Sequence, residues 1–188
     1  MSYLNFGRQR LLVVLGTMLL LAGCETGHLL SLYSLGFQKR DVYLDNLADA
    51  RDAMRYCVAR LAPAVAADSE VKKAIKRCDE STAEFASKLK TSNRVAKDWL
   101  GDWHKHPEEF QSGKASVVEV ETEQRLLLQQ GRQLAESLND GRKNLDRGVA
   151  IAPGWLAEAE AWLAAANQHI IWLESSNSGY PVPKSANP

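Results

Sequence analysis

The chain has 188 residues, with 23 Lys and Arg set against 23 Asp and Glu and 45% hydrophobic residues. That balance excludes the strongly basic surface of a nucleic-acid-binding protein, and the length suffices for one domain with a real core. Few Gly and Pro between positions 40 and 150, in stretches rich in Ala, Leu, Glu, Lys, Arg and Gln, predict an all-α fold.

Met1–Arg10 carries Arg8 and Arg10 and no acid, and the apolar run Leu11–Leu20 follows directly. This is the n-region and h-region of a secretory signal, and the run is too short for a convincing membrane span. The run closes on Leu21-Ala22-Gly23-Cys24, which resembles the lipobox of bacterial lipoproteins. The resemblance implies cleavage after residue 23, a diacylglyceryl group on the Cys24 thiol, and membrane lipid as the first partner. Two or three acyl chains hold a protein on a bilayer where one chain binds only marginally. The next residue is Glu25 rather than the aspartate that resembles an inner-membrane retention signal, so the expected address is the outer membrane, facing the periplasm. Without residues 1–23 the chain keeps 21 basic and 23 acidic residues, a net charge of about −2 that again speaks against nucleic acid.

Residues 24–40 read as a short apolar linker holding the folded part near the bilayer. Residues 41–174 read as a domain of four long helices, an antiparallel bundle or a pair of coiled hairpins. The first helix, about 41–66, has a seam of Leu47, Ala50, Met54, Cys57, Leu61 and Ala64 at heptad spacing. Pro63 weakens its end, and Asp68-Ser69 offers caps to the second helix, about 70–106. That helix continues the spacing through Val71, Ile75, Cys78, Thr82, Phe85, Leu89, Ser92, Ala96, Trp99 and Trp103. Gly101 or Thr91-Ser92-Asn93 is where it would break. After a loop, Ser116-Val-Val-Glu119 resembles a capping box and opens the third helix, about 116–147, with its seam at Leu127, Gly131, Leu134, Leu138, Gly141 and Leu145. Gly148 is expected to end it, and Pro153 to sit in the first turn of the fourth helix, about 153–174, with Leu156, Ala159, Leu163, Ala166, Ile170 and Leu173 as its seam. Ser175–Pro188 reads as a disordered tail.

Cys57 lies ten residues before Ala67 and Cys78 ten residues after Asp68, so an antiparallel hairpin turning there sets the two opposite each other. Both fall on the helix seams, and an exported chain lies in an oxidising compartment. A disulfide is predicted; two buried free thiols are the alternative. His104 and His106, beside Glu108 and Glu109, are the clustered histidines, but two histidines at i, i+2 without a third strong ligand make no metal site on a helix, so none is expected. Trp155, Trp162 and His169 recur every seven residues and offer either the flank of a core or a partner or ligand surface. An up-down arrangement would also gather Trp99, Trp103, Phe110 and Trp172 at the membrane-proximal end, against lipid headgroups or as a cap on the core.

At residues 33–53 the chain resembles an uncharacterised bacterial family known as domain of unknown function 2959. Its Gly-x-x-Lys-Arg-Asp entry into the first helix is carried here by Gly36, Lys39, Arg40 and Asp41. Trp103 and Glu123-Gln124-Arg125 agree more loosely. The resemblance implies an exported, long-helical protein and no activity. With no nucleophile motif and no glycine-rich phosphate loop, the expectation is a non-enzymatic envelope lipoprotein without cofactors, acting as a structural or interaction module with an envelope protein as partner. A second expectation is a small apolar ligand or lipid bound between the helices, against the fourth-helix aromatics and the gap left by Gly131 and Gly141.

Overall fold

A computed structural model describes residues 38–180. The signal, Cys24, Gly36 and the residues from 181 onward lie outside the described residues. The helices are α1 (Lys39–Ala66), α2 (Val71–Arg77), α3 (Asp79–Lys105), α4 (Val117–Lys143) and α5 (Leu145–Ser175), with a 3-10 turn at Pro107–Glu109. They form one compact unit beginning at Lys39 and build a helical bundle. No helix among the described residues is long and apolar enough to cross a membrane.

The long helices bury the heptad stripes that their sequences carry. In α1 the buried positions include Leu47, Ala50, Met54, Cys57 and Leu61; in α4 they are Val120, Gln124, Leu127, Leu128, Gly131, Leu134, Leu138 and Gly141. Neighbouring helices run antiparallel. Along α1 and α3, Lys39 meets Asp98 and Asp102, Asp49 meets Lys88, and Cys57 is bonded to Cys78. Along α4 and α5, the Trp162 indole donates to Leu127 O at 2.9 Å and the Trp155 indole to Leu134 O at 3.0 Å. α1 packs on α5 as well, and α4 on α3.

Helix boundaries depart from the expectations at three places. The second predicted helix is two, α2 and α3, with the junction at Cys78, whose carbonyl accepts from both the N–H and the hydroxyl of Thr82. Neither Gly101 nor Thr91–Asn93 breaks α3, and Asp68 and Ser69 do not cap α2. Instead Asp68 and Glu70 take left-handed backbone with φ of 47° and 55°, and Glu70 occupies the cap position without a side-chain capping bond, its carboxylate accepting from Lys73. At the other hairpin Asn144 alone separates α4 from α5 and accepts from the Arg147 N–H at 3.2 Å. Gly148 is therefore inside α5, because that is where α5 crosses Gly141: a Cβ on Gly141 would lie 2.9 Å from the Gly148 Cα. Pro153 is inside α5 too, beyond its first turn. The capping box at Ser116 and Glu119 is present as expected.

Both ends of the bundle are closed. At one end α2 touches α1, α4 and α5, and its Ile75 is fully buried beside Gly148. At the other end part of the predicted tail is ordered against the bundle. Gly179 N–H donates to Gln111 O and Gln111 N–H to Tyr180 O, while Ser178 binds Ser112 O and the Ala115 N–H. Gly179, at φ 76°, lies directly on the rings of Trp99 and Trp103, where any side chain would collide.

Candidate functional site

The residues that resemble the family motif organise the closed end formed by the C-terminal segment. Lys39, in the first turn of α1, reaches Asp98 at 2.6 Å and Asp102 at 2.5 Å on α3. Arg40 is fully buried, donates through Nη2 to Ser176 O at 3.1 Å, and lies 3.8 Å over the Tyr180 ring. Asp41 accepts from the Tyr180 hydroxyl at 2.9 Å. Three consecutive side chains thus tie the start of α1 to the end of α3 and to the last described residues. Burial lowers the pKa of Arg40, opposed by Tyr180, Asp41 and Glu174. Its Nε and Nη1 make no hydrogen bond.

Beneath this clasp is an aromatic stack. Trp103 lies against Phe110 and Trp99, Trp99 stacks on Tyr43 at 5.6 Å, and Tyr43 meets His169 edge-on at 6.0 Å. The Trp99 N–H donates to Gly179 O at 2.9 Å. Trp99 and Trp103 are 1% and 3% exposed, so these two rings cap the core and do not face lipid headgroups. The C-terminal segment, whose composition predicts a disordered tail, covers them. Trp172 is half-buried beside His169 and retains an exposed edge.

Trp155 and Trp162 are buried core residues and present no partner surface. Trp162 meets Phe85 edge-on at 4.9 Å, and both indoles are satisfied by α4 carbonyls. The α5 seam runs Ala152, Trp155, Ala159, Trp162, Ala166, His169 and Leu173, with Leu156 and Ile170 on its flank and Leu163 half-buried. The glycines of α4 are what admit the large rings. A Cβ at Gly131 would fall 2.6 Å from Leu89 and 3.1 Å from the Trp162 indole nitrogen. The space expected at Gly131 and Gly141 for an apolar ligand is therefore filled by Leu89, Phe85, Trp162 and the backbone of Gly148.

The predicted disulfide is present. Cys57 and Cys78 are bonded with their Cα atoms 5.1 Å apart, and both are buried in the core. Among the described residues, His106, Glu108 and Glu109 bring ligand atoms within 4.8 Å of one another in the surface turn after α3. His104 instead pairs with Glu121 at 3.2 Å.

His169, the third member of the predicted Trp155, Trp162 and His169 stripe, lines a cleft. Its Nε2 shares a hydrogen bond of 2.9 Å with the buried Tyr43 hydroxyl, while Nδ1 is buried without a partner. Burial lowers its pKa to about 4 and raises that of Tyr43. Because the folded value lies below the unfolded one of about 6.5, the unfolded chain binds the extra proton between these limits. Stability is therefore expected to fall as pH drops through that window, by about 3 kcal/mol on reaching pH 4. Urea unfolding at pH 7, 5.5 and 4.5 measures this, and His169→Gln should flatten the dependence. An unchanged slope in the variant contradicts the assignment to His169.

No protein-family model, curated protein or solved structure matches the chain.

Proposed function

We propose that the chain is a lipoprotein of the bacterial envelope, anchored through acylated Cys24 in the outer membrane and facing the periplasm, where its helices serve as a non-catalytic structural or interaction module. In this reading α1, α3, α4 and α5 form an up-down four-helix bundle, with α2 and the C-terminal segment as its end plugs. The chain is also a member of the family that residues 33–53 resemble. That membership rests on the motif of Gly36, Lys39, Arg40 and Asp41.

The observation that carries the reading is the pairing of Leu21-Ala22-Gly23-Cys24 with a buried Cys57–Cys78 disulfide. Lipidation follows export, and structural disulfides belong to the same oxidising side of the membrane. In this reading the anchored chain enters the bundle at the Arg40 clasp, the end at which α1 begins.

Crosslinking in intact cells followed by affinity purification tests the interaction role. The expected result is one reproducible envelope protein, or peptidoglycan, lost when Cys24→Ser releases the chain from the membrane. Repeated recovery of neither contradicts the role.

A further inference from the structure

On the outer face of the α4–α5 pair is a cleft of about 280 Å³, lined by Glu123 of α4 and by Ala165, Gln168, His169 and Trp172 of α5. It differs in kind from the packed interior. Trp172 is half-buried with its ring 5.7 Å from that of His169, at an interplanar angle of 56°. Glu123 and Gln168 are exposed. His169 lines the cleft and is 4% exposed.

The chemistry of the lining narrows the ligand. Among the described residues the only formal charge at the cleft is the Glu123 carboxylate, and no Lys or Arg lines it, so phosphates and carboxylates would be repelled. A carboxylate accepts from hydroxyls and amides, a side-chain amide both donates and accepts, and burial keeps the imidazole neutral near pH 7. The indole offers an apolar face at the edge of this polar set. A rigid ring with one apolar face and a rim of hydroxyls satisfies all of these groups together, and the volume suits a single such ring.

We propose that this cleft is a binding site for one unit of a neutral saccharide. The sugar's apolar face stacks on Trp172, and its hydroxyls bond Glu123 and Gln168. The site needs neither the anchor nor a protein partner, so it stands or falls separately from the envelope reading.

The full chain, purified in a detergent without a sugar headgroup, is titrated with N-acetylglucosamine, its β-1,4-linked tetramer and maltotetraose, followed by calorimetry and by tryptophan fluorescence. The expected result is saturable binding of at least one saccharide. Trp172→Ala should weaken it about tenfold or more and Gln168→Ala about threefold, with Tyr56→Ala, away from the cleft, unchanged. Cooperative thermal unfolding checks each variant, and if Trp172→Ala fails to fold, Gln168→Ala and Glu123→Gln carry the test. No binding of any of the three at roughly 10 mM overturns the proposal, since even weak single-site recognition is detectable there. It is equally overturned if affinity survives intact in every folded cleft variant, or if indole or benzoate displaces the sugar at equal concentration.

Discussion

Replacing Trp162 with alanine is expected to destabilise the protein by about 3–5 kcal/mol, the range for removing a fully buried tryptophan from a packed core. Three losses coincide at this position. The ring fills the space opposite Gly131, packs edge-on against Phe85 at 4.9 Å, and donates its N–H to Leu127 O at 2.9 Å. Alanine leaves a cavity between α3, α4 and α5 that the close helix approach at Gly141 and Gly148 prevents from collapsing, because those backbones are already in contact. Urea unfolding followed by circular dichroism measures the cost. Trp162→Phe, which keeps much of the volume but loses the hydrogen bond, should fall between the two. A loss below about 1 kcal/mol for the alanine variant would mean that the ring is not a core element.

The second large effect concerns the crosslink. The disulfide joins residues 21 apart, and closing a loop of that size in the unfolded chain stabilises the native state by about 3 kcal/mol in the chain-entropy account. Cys57→Ala/Cys78→Ala should therefore lower the melting temperature by roughly 6–12 °C for a domain of this size. The local consequence follows from where Cys78 sits. It joins the seven-residue α2 to α3, and a helix that short does not hold its shape unaided. Amide exchange in Val71–Arg77 should accelerate before exchange in α3 or α4. Since both cysteines are buried, dithiothreitol should reduce the native protein slowly and the urea-unfolded protein quickly. A double variant melting within about 2 °C of the parent would assign the hairpin's stability to packing alone.

Much of this architecture is visible in the spacing of apolar residues. The seams of α1, α3 and α4 follow the stripes read from the sequence except that Ala64 and Thr82 are half-buried and Leu145 falls in α5, and the cysteine pair follows from them because antiparallel register fixes which positions face each other. Trp155, Trp162 and His169 were harder to place. Ranking by aliphatic character puts Leu156, Leu163 and Ile170 on the seam and the larger rings beside it. The order reverses because Gly131 of α4 leaves room for an indole and the carbonyls of Leu127 and Leu134 satisfy the indole N–H groups. That compensation is a tertiary event with no trace in α5 alone. Gly148 and Pro153 misled for a related reason: both are read locally as helix punctuation, whereas Gly148 is small because α4 crosses it. The order of Ser176–Tyr180 was likewise hidden. Its composition is that of a tail, and what orders it is Arg40, 136 residues away in sequence.

The cleft around His169 was half legible. The heptad recurrence of Trp155, Trp162 and His169 includes one residue that lines the cleft, His169, while the two tryptophans turn inward. Glu123, Gln168 and Trp172 become neighbours only through the antiparallel pairing of α4 and α5. Spacing from Trp162 and Leu127 outward along that pair is the signal that could have joined them.

The claim on which the account rests is the lipid anchor, and the most direct test is mass spectrometry of the N-terminal peptide of the protein extracted from membranes. The account predicts a chain that begins at Cys24, with a diacylglyceryl group on its thiol, and a Cys24→Ser variant that lacks the modification and leaves the membrane fraction. A peptide that still begins at Met1, or an unmodified Cys24 in membrane-bound protein, would contradict it.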